Sequence, residues 1–506
     1  MQKSKMLINV ISNWANFLSL IVVSFIVSPI IVHKLGNENY GIWTLIISIT
    51  GYFTVLDFGV NTAIVRYISK YAAQENEKKA REIYSTSCVF FFLISSLIII
   101  FTVFFAYYFV DIFSITSLPR KYIYAVFLII GVDLAFGLFS SVVLGALMAM
   151  QKFVEINIFS ILTTLIKNIL IVYFLLNEYS ILSLAIIHTG SNLLKYILQY
   201  IYLKYKFKFL YFEPKKCTKE IFKKIYTYSI YSFLIAVSVK FMFYTDSIVI
   251  GFLISVSEVT FYAIPSTIVD YLQKIVWAVI AVLVPIISSN DAIGKNRKNA
   301  KLYLKGTKYI LFLCLPIIIV LYTAGSDFIR LWMGPVYETP SGTVLKILII
   351  GYIGGLPQLI AHGILKGISM HKNLAYILAI TALANLLISL GLARVMGING
   401  VAIGTALPLL VANLIFIPFH TCKQLKIKFT QYLWESYSLG CSAFITISIC
   451  YFYSGVHIKN YYELASYSIC IAIVIAIIFY LFIVENDDRD MIKNKFKWGK
   501  KKIKSS

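Results

Sequence analysis

Charge is what this chain has least of: 14% of its 506 residues are charged, and Asp and Glu together number only 23. Soluble domains carry about 25% charged residues, so a water-soluble enzyme is disfavoured at the outset. Cysteine is equally thin. The seven, Cys88, Cys217, Cys314, Cys422, Cys441, Cys450 and Cys470, stand singly, with no C-x-x-C and no histidine at metal-ligand spacing. We read neither a disulfide framework nor a metal site. A P-loop, a G-x-G-x-x-G turn and an H-E-x-x-H helix are all missing. That removes the phosphate cradles and the zinc-hydrolase helix those patterns build, and no cofactor is expected. Asp488, Arg489 and Asp490 spell a D-x-D, but they lie in a short lysine-rich tail with no nucleotide-binding domain around them and read as a solvated charge run.

What the chain does have is apolar length. Hydrophobic residues make up 59% and aromatics 16%. Packaged as membrane spans of about 20 residues each, they fill roughly fourteen and leave little for a globular domain. The expected fold is all-α, a polytopic membrane protein with spans near 7–32, 41–65, 83–110, 122–150, 156–177, 181–203, 225–254, 259–289, 309–328, 344–368, 374–394, 400–421, 432–454 and 464–484. The first span follows Lys3 and Lys5 and so imitates a signal peptide. It exceeds an h-region of about 7–15 residues and ends in no small-residue cleavage site, so it reads as a retained span.

Net charge is +23. In a soluble protein that would suggest nucleic acid; in a membrane protein Lys and Arg collect in cytoplasmic loops. Alternate loops hold roughly 35 basic residues on one side and about six on the other (Lys34, Arg120, Lys121, Arg330, Arg394, Lys459). A multi-pass chain with both termini cytoplasmic is expected, without nucleic acid as a partner. The remaining five lysines, Lys167, Lys195, Lys240, Lys274 and Lys346, fall inside spans. A basic residue near the bilayer centre costs on the order of 2.5–3.5 kcal/mol.

Matches at long offset indicate an internal duplication. Glu38, Tyr40 and Gly41 resemble Glu258, Tyr262 and Ala263; Gly131, Met150 and Lys152 recur as Gly351, Met370 and Lys372; Ala185 and Ile186 recur as Ala402 and Ile403. The expected domains are an N-lobe at 1–220 and a C-lobe at 221–425, of six helices each, then a helix pair at 426–484 and a basic cytoplasmic tail at 485–506. The tail suits anionic membrane lipids. Two lobes in one orientation, related about the membrane normal, bind substrate between them near the midplane and alternate access to the two sides.

Polar residues recur at helical spacing within spans. Examples are Asn9, Asn13 and Asn16 in the first, Thr50, Thr54, Asp57 and Asn61 in the second, and His188, Asn192, Lys195 and Gln199 in the sixth. Tyr262, Ser266, Asp270, Lys274 and Trp277 follow in the eighth, and Gln358, His362 and Lys366 in the tenth. Neutral members serve equally well as hydrogen-bonded glue between helices. Charged ones are expensive and so more telling. Lys346 and Lys366 stand close enough to span ends to snorkel, and Asp270 and Lys274, one turn apart, can neutralise each other. Lys167, Lys195 and Lys240 have no local partner. The substrate-binding candidates are Lys167, Lys195, Lys240 and Lys274. The intramembrane carboxylates Asp57, Asp133, Asp246 and Asp270 are candidates for ion coupling; the alternative is that each pairs with a lysine on another helix.

These features converge with a set of short strings. Leu35-Gly36-Asn37-Glu38-Asn39-Tyr40-Gly41-Ile42-Trp43, Leu56-Asp57-Phe58-Gly59, Arg66-Tyr67-Ile68 and Thr245-Asp246-Ser247-Ile248-Val249-Ile250-Gly251, with Tyr262-Ala263, resemble the bacterial polysaccharide flippases. Those belong to the multidrug, oligosaccharidyl-lipid and polysaccharide exporter superfamily. The resemblance implies a non-enzymatic, ion-coupled transporter of the bacterial inner membrane that flips O-antigen or capsule repeat units on undecaprenyl diphosphate, with a basic central cavity for the diphosphate. Its implied partners are the lipid-linked oligosaccharide and the polysaccharide polymerase machinery. Lipid II flippases typically carry an Arg-Asp pair in the first helix, whereas the first span here has no charge. Multidrug exporters of the superfamily usually have twelve helices and acidic cavities, against which the span lysines argue. A membrane polysaccharide polymerase, from a different class, would carry a large external loop with arginines. The longest external loop, near 328–343, is short and holds only Arg330.

Overall fold

In the computed structural model of the protein, residues 2–177, 180–214, 219–293, 296–368 and 370–484 are described, and among them every regular element is helical. Cys217, the D-x-D at 488–490 and the basic tail at 485–506 lie outside the described residues. In chain order the helices are α1 (2–35), α2 (37–73), α3 (Glu77–Ile112), α4 (Arg120–Ala149), α5 (Phe153–Leu176), α6 (Ile181–Lys206) and α7 (Lys219–Leu253). They continue as α8 (Val256–Ala292), α9 (Asn296–Thr323), α10 (Glu338–Gly367), α11 (371–396), α12 (398–425), α13 (Phe429–Ser454) and α14 (Tyr461–Ile478).

Eleven stretches of the described chain are long and apolar enough to cross a membrane, and two of them hold more than one helix. Gly36 (φ 77°, ψ 165°) separates α1 from α2, and Gly397 (φ 59°, ψ −141°) separates α11 from α12. Backbone of this kind is open essentially only to glycine. α13 is more polar and falls outside the eleven, yet its 26 residues reach about 39 Å. Each span expected from hydropathy therefore coincides with one of the long helices α1 to α14.

Helix ends depart from the expected ends for a physical reason. A helix satisfies its own backbone within lipid or outside it, so it need not stop where the apolar run stops. α9 begins at Asn296, and Arg297–Lys308, expected as loop, forms its first turns. The expected span to 328 closes instead at Thr323, where a separate helix, Gly325–Met333, buries Ile329, Trp332 and Met333. α3 carries Phe92 (64% exposed) and Ile100 (65%) beside exposed Leu93, Phe101 and Phe104. In water a patch of that size would drive association; facing lipid it has no such penalty. The chain is a multi-pass membrane protein.

Packing divides the chain into two compact units. One draws on Met1–Tyr271 and Met370–Pro408, the other on Leu272–Ser369 and Leu409–Ser506. Within the first, α4 lies against α3 and α6, and α5 against α6. Ile64, Ile68, Ile83, Phe91, Val142 and Leu147 form a core shared by α2, α3 and α4. In the second, α9 is central and is met by α10, α13 and α14. There Phe312, Leu315 and Ile319 of α9 pack with Ala443, Ile471 and Ile475.

Candidate functional site

The first unit contains a half-open cavity of about 590 Å³ lined by polar and apolar side chains, within the range of roughly 300–1,000 Å³ usual for small-molecule sites. α4 contributes Gly137, Ser140 and Ser141, whose small side chains leave room, beside Leu134, Leu138 and Met148. α6 supplies the chemistry. His188, Lys195, Tyr196 and Gln199 line the cavity, and with Asn192 they recur at the spacing that puts residues on one helical face. Asn16, Thr50, Thr54, Asn157 and Tyr244 bring polar groups from four further helices.

Asp133 is the hub of this wall. Its carboxylate accepts from Asn192 Nδ2 at 2.7 Å and from Tyr196 OH at 3.5 Å, and His188 Nε2 stands 3.4 Å away. Lys195 Nζ donates to Asn192 Oδ1 at 3.4 Å and lies over the Tyr196 ring at 5.0 Å. Lys167, on α5, lies within coulombic range of both Lys195 and Asp133. Two lysines thus converge on a region held together by one carboxylate. Such a wall can hold an anion, since an ammonium binds phosphate oxygens as a point charge at any approach angle.

The other candidates go elsewhere. Lys240 is not part of the cavity wall; its Nζ donates to Tyr244 OH at 3.2 Å, one turn along α7, and Tyr244 does line the cavity. Lys274 and Asp270 sit one turn apart on α8, both half-buried. Asp57 closes the 3-10 turn Thr54–Asp57 that interrupts α2, and its Oδ1 accepts the Asn61 N–H at 3.3 Å where helix resumes. That is a cap on an interrupted helix.

Asp246 lies in a closed knot. Only 3% exposed, it accepts from Tyr262 OH at 2.6 Å, Thr405 Oγ1 at 2.7 Å and Asn385 Nδ2 at 3.3 Å. These contacts tie α7 to α8, α11 and α12. In the second unit the tenth-span stripe splits. Gln358 is fully buried among Tyr303, Tyr432 and Tyr437, with the first two rings stacked at 4.7 Å. Lys366 lies over the Trp277 ring at 5.3 Å, beside His362. Lys346 lies over Phe452 at 5.8 Å.

Sequence reasoning missed Tyr196, Asn157 and Tyr244, and gave His188 no role beyond its stripe. The i, i+4 spacing of Lys240 and Tyr244 was a usable signal. The pairing of Asn157 Nδ2 with Asn13 Oδ1 at 2.6 Å had none, because the partners are far apart in the chain.

Comparison with known proteins adds three findings. The family model described as polysaccharide biosynthesis protein matches residues 6–291, more than half of the chain. A curated protein of Shigella flexneri, named as an O-antigen transporter, is 21% identical over 347 residues, covering 68% of this chain and 80% of the relative. Among solved structures, the lipid II flippase MurJ in an inward closed conformation aligns over 96% of this chain and 100% of its own, with a TM-score of 0.70 at 17% identity. A multidrug resistance MATE family transporter of the MOP superfamily, inward-facing, aligns over 80% and 94% with a TM-score of 0.67 at 13% identity. At these identities the two structures speak to the fold, which is that of the MOP transporters.

Proposed function

The chain belongs to the polysaccharide biosynthesis protein family, and from that footing we propose that it is a flippase for an oligosaccharide carried on undecaprenyl diphosphate. It moves the repeat unit from the inner to the outer leaflet of the bacterial cytoplasmic membrane, and it is a transporter rather than an enzyme. The observation that carries this reading is the cavity: Lys195 lines a space of about 590 Å³, with Lys167 in coulombic range of that lysine, at a cost lipid-facing helices avoid. A diphosphate leaving water needs compensating positive charge, and these lysines supply it. The name of the Shigella flexneri relative supports an O-antigen type of cargo.

The mechanism we assign is alternating access of an N-lobe (1–220) and a C-lobe (221–425), with both termini cytoplasmic as the basic loops require. Asp133 and His188, 3.4 Å apart beside Lys195, are the ion-coupling site on this reading. Asp57 and Asp246 serve the fold. Anionic lipids at the tail and the polysaccharide polymerase machinery are the expected partners.

Deleting the gene should leave repeat units on lipid at the cytoplasmic face and abolish surface polymer. Wild type should restore it, and Lys195→Ala, inserted at normal level, should not. Rescue of cells depleted of their lipid II flippase would favour that substrate instead. Normal surface polymer with new sensitivity to cationic drugs would favour an exporter.

A further inference from the structure

On the outer side of the α4–α6 wall lies a second space, a groove of about 670 Å³. It differs in kind from the polar cavity. Phe136, Phe139, Leu193, Ile197 and Tyr200 line it, and several of them are strongly exposed, Ile197 at 54% and Phe136 at 53%. Its end is built. Arg81 donates to Phe209 O at 2.9 Å and to Tyr211 OH at 2.6 Å, lies over the Tyr211 ring at 4.1 Å, and pairs with Glu213 at 3.5 Å. That clamp fixes the segment carrying Tyr211 and Phe212 against α3, where both residues line the groove.

Groove and cavity share a wall. Ser140 and Tyr196 line both. The Tyr196 hydroxyl is turned inward to Asp133 at 3.5 Å, and it packs on α4 so closely that a Cβ on Gly137 would meet it at 2.8 Å. The Tyr196 ring, with Ser140, thus stands between an apolar groove and a cavity lined by Lys195, Asp133 and His188. An amphiphile with an anionic head and a long hydrocarbon tail matches that pair of environments, and neither a free sugar phosphate nor a cation does.

We propose that the α4–α6 seam is a lateral portal. The isoprenoid chain of the substrate lies in the groove lined by Phe139 and Ile197 while the diphosphate passes Tyr196 into the cavity. This rests on the transport reading above. Lipid tails are as apolar as the groove, so the groove gains little by hydrophobic burial alone. Its contribution is to hold the chain in a shaped wall next to the cavity, which raises the local concentration of the headgroup there.

The test uses the full-length protein in nanodiscs, with undecaprenyl diphosphate and geranyl diphosphate as probes. A photo-crosslinker replacing Phe139 should capture undecaprenyl diphosphate far more than one replacing Ile100 on the lipid face of α3; equal capture, or capture of phospholipid alone, overturns the portal. Ile197→Trp, at a lipid-exposed position that tolerates bulk, should lower the preference for undecaprenyl over geranyl diphosphate at least about fivefold. If wild type binds undecaprenyl diphosphate and Ile197→Trp leaves that preference unchanged, the portal falls and the transport reading stands. If wild type binds neither probe, the transport reading falls and the portal with it.

Discussion

Replacing Asp246 separates a structural carboxylate from an ion-coupling one. Its three donors, Tyr262, Thr405 and Asn385, sit with it in a site where the side chain is 3% exposed. Asp246→Ala takes the acceptor from all three, but Asn385 Nδ2 keeps its bond to Thr405 Oγ1 at 2.7 Å, so the Tyr262 and Thr405 hydroxyls are the ones stranded. A buried donor left unpaired costs about 1–3 kcal/mol, so the loss is about 2–6 kcal/mol, a large share of a whole margin of about 5–15 kcal/mol. Asp246→Asn keeps one carbonyl oxygen in place, and Thr405 can turn its hydroxyl to accept from the new amide. The loss then falls to about 1–3 kcal/mol. Thermal unfolding in detergent, followed by monodispersity on size exclusion, should lose Asp246→Ala and keep Asp246→Asn with a lowered midpoint. Complementation of surface polymer should persist in Asp246→Asn. A folded Asp246→Asn protein that flips nothing would refute the structural assignment and return Asp246 to the ion-coupling candidates.

Further outcomes follow from the same geometry. Lys195→Ala and Lys167→Ala should each impair flipping at normal protein level while Arg at either position rescues in part by keeping the charge; full activity in both Ala variants would sink the cationic-cavity reading. Asp133→Asn, which removes the one carboxylate among these lysines, should tighten binding of undecaprenyl diphosphate and slow turnover, read as affinity against flipping rate. Gln358→Leu removes the acceptor of the Tyr303 hydroxyl, while Tyr432 and Tyr437 keep Thr307 and the Gly354 carbonyl, and should cost about 1–3 kcal/mol, visible as a lower unfolding midpoint. Reporter fusions near Gln74 and Lys298 should read cytoplasmic, and those near Thr116 and Tyr337 external; one loop on the wrong side breaks the two-lobe mechanism.

The fold was legible because its governing signal is local. Twenty apolar residues in a row state a span without reference to any other part of the chain. Helix ends were less so, because Arg297–Lys308 is polar and helical at once. The family strings turn out to mark backbone events. Gly36 breaks the chain between α1 and α2, and Gly41 lets α2 approach the Val256 carbonyl more closely than a Cβ would allow. Leu56-Asp57-Phe58-Gly59 is the 3-10 interruption of α2. The site was half legible. Periodicity put His188, Asn192 and Lys195 on one face of α6, but nothing in that pattern says that the face meets Asp133, 59 residues from Asn192 in the chain. Partners across helices are set by packing, which a single sequence does not display.

Compensation, rather than burial, separates Asp133 from Asp246, two of the carboxylates of the first unit. Asp246 accepts from neutral donors on three helices and does not line the 590 Å³ cavity, so these bonds serve to hold helices together. Asp133 is nearly as buried, at 7% exposed, yet its neighbours are His188, Lys195 and Lys167, and it borders open volume. A charged ligand can compete for those cations, and no competitor can reach the Asp246 knot. That difference also explains why a transporter would keep a carboxylate among its anion-binding lysines. Binding that is uniformly tight holds a substrate without moving it, because an equilibrium shifts only by the difference in affinity between states. On the transport reading proposed above, a carboxylate within coulombic range of Lys195 compensates that charge when the anion leaves and so lowers the cost of release.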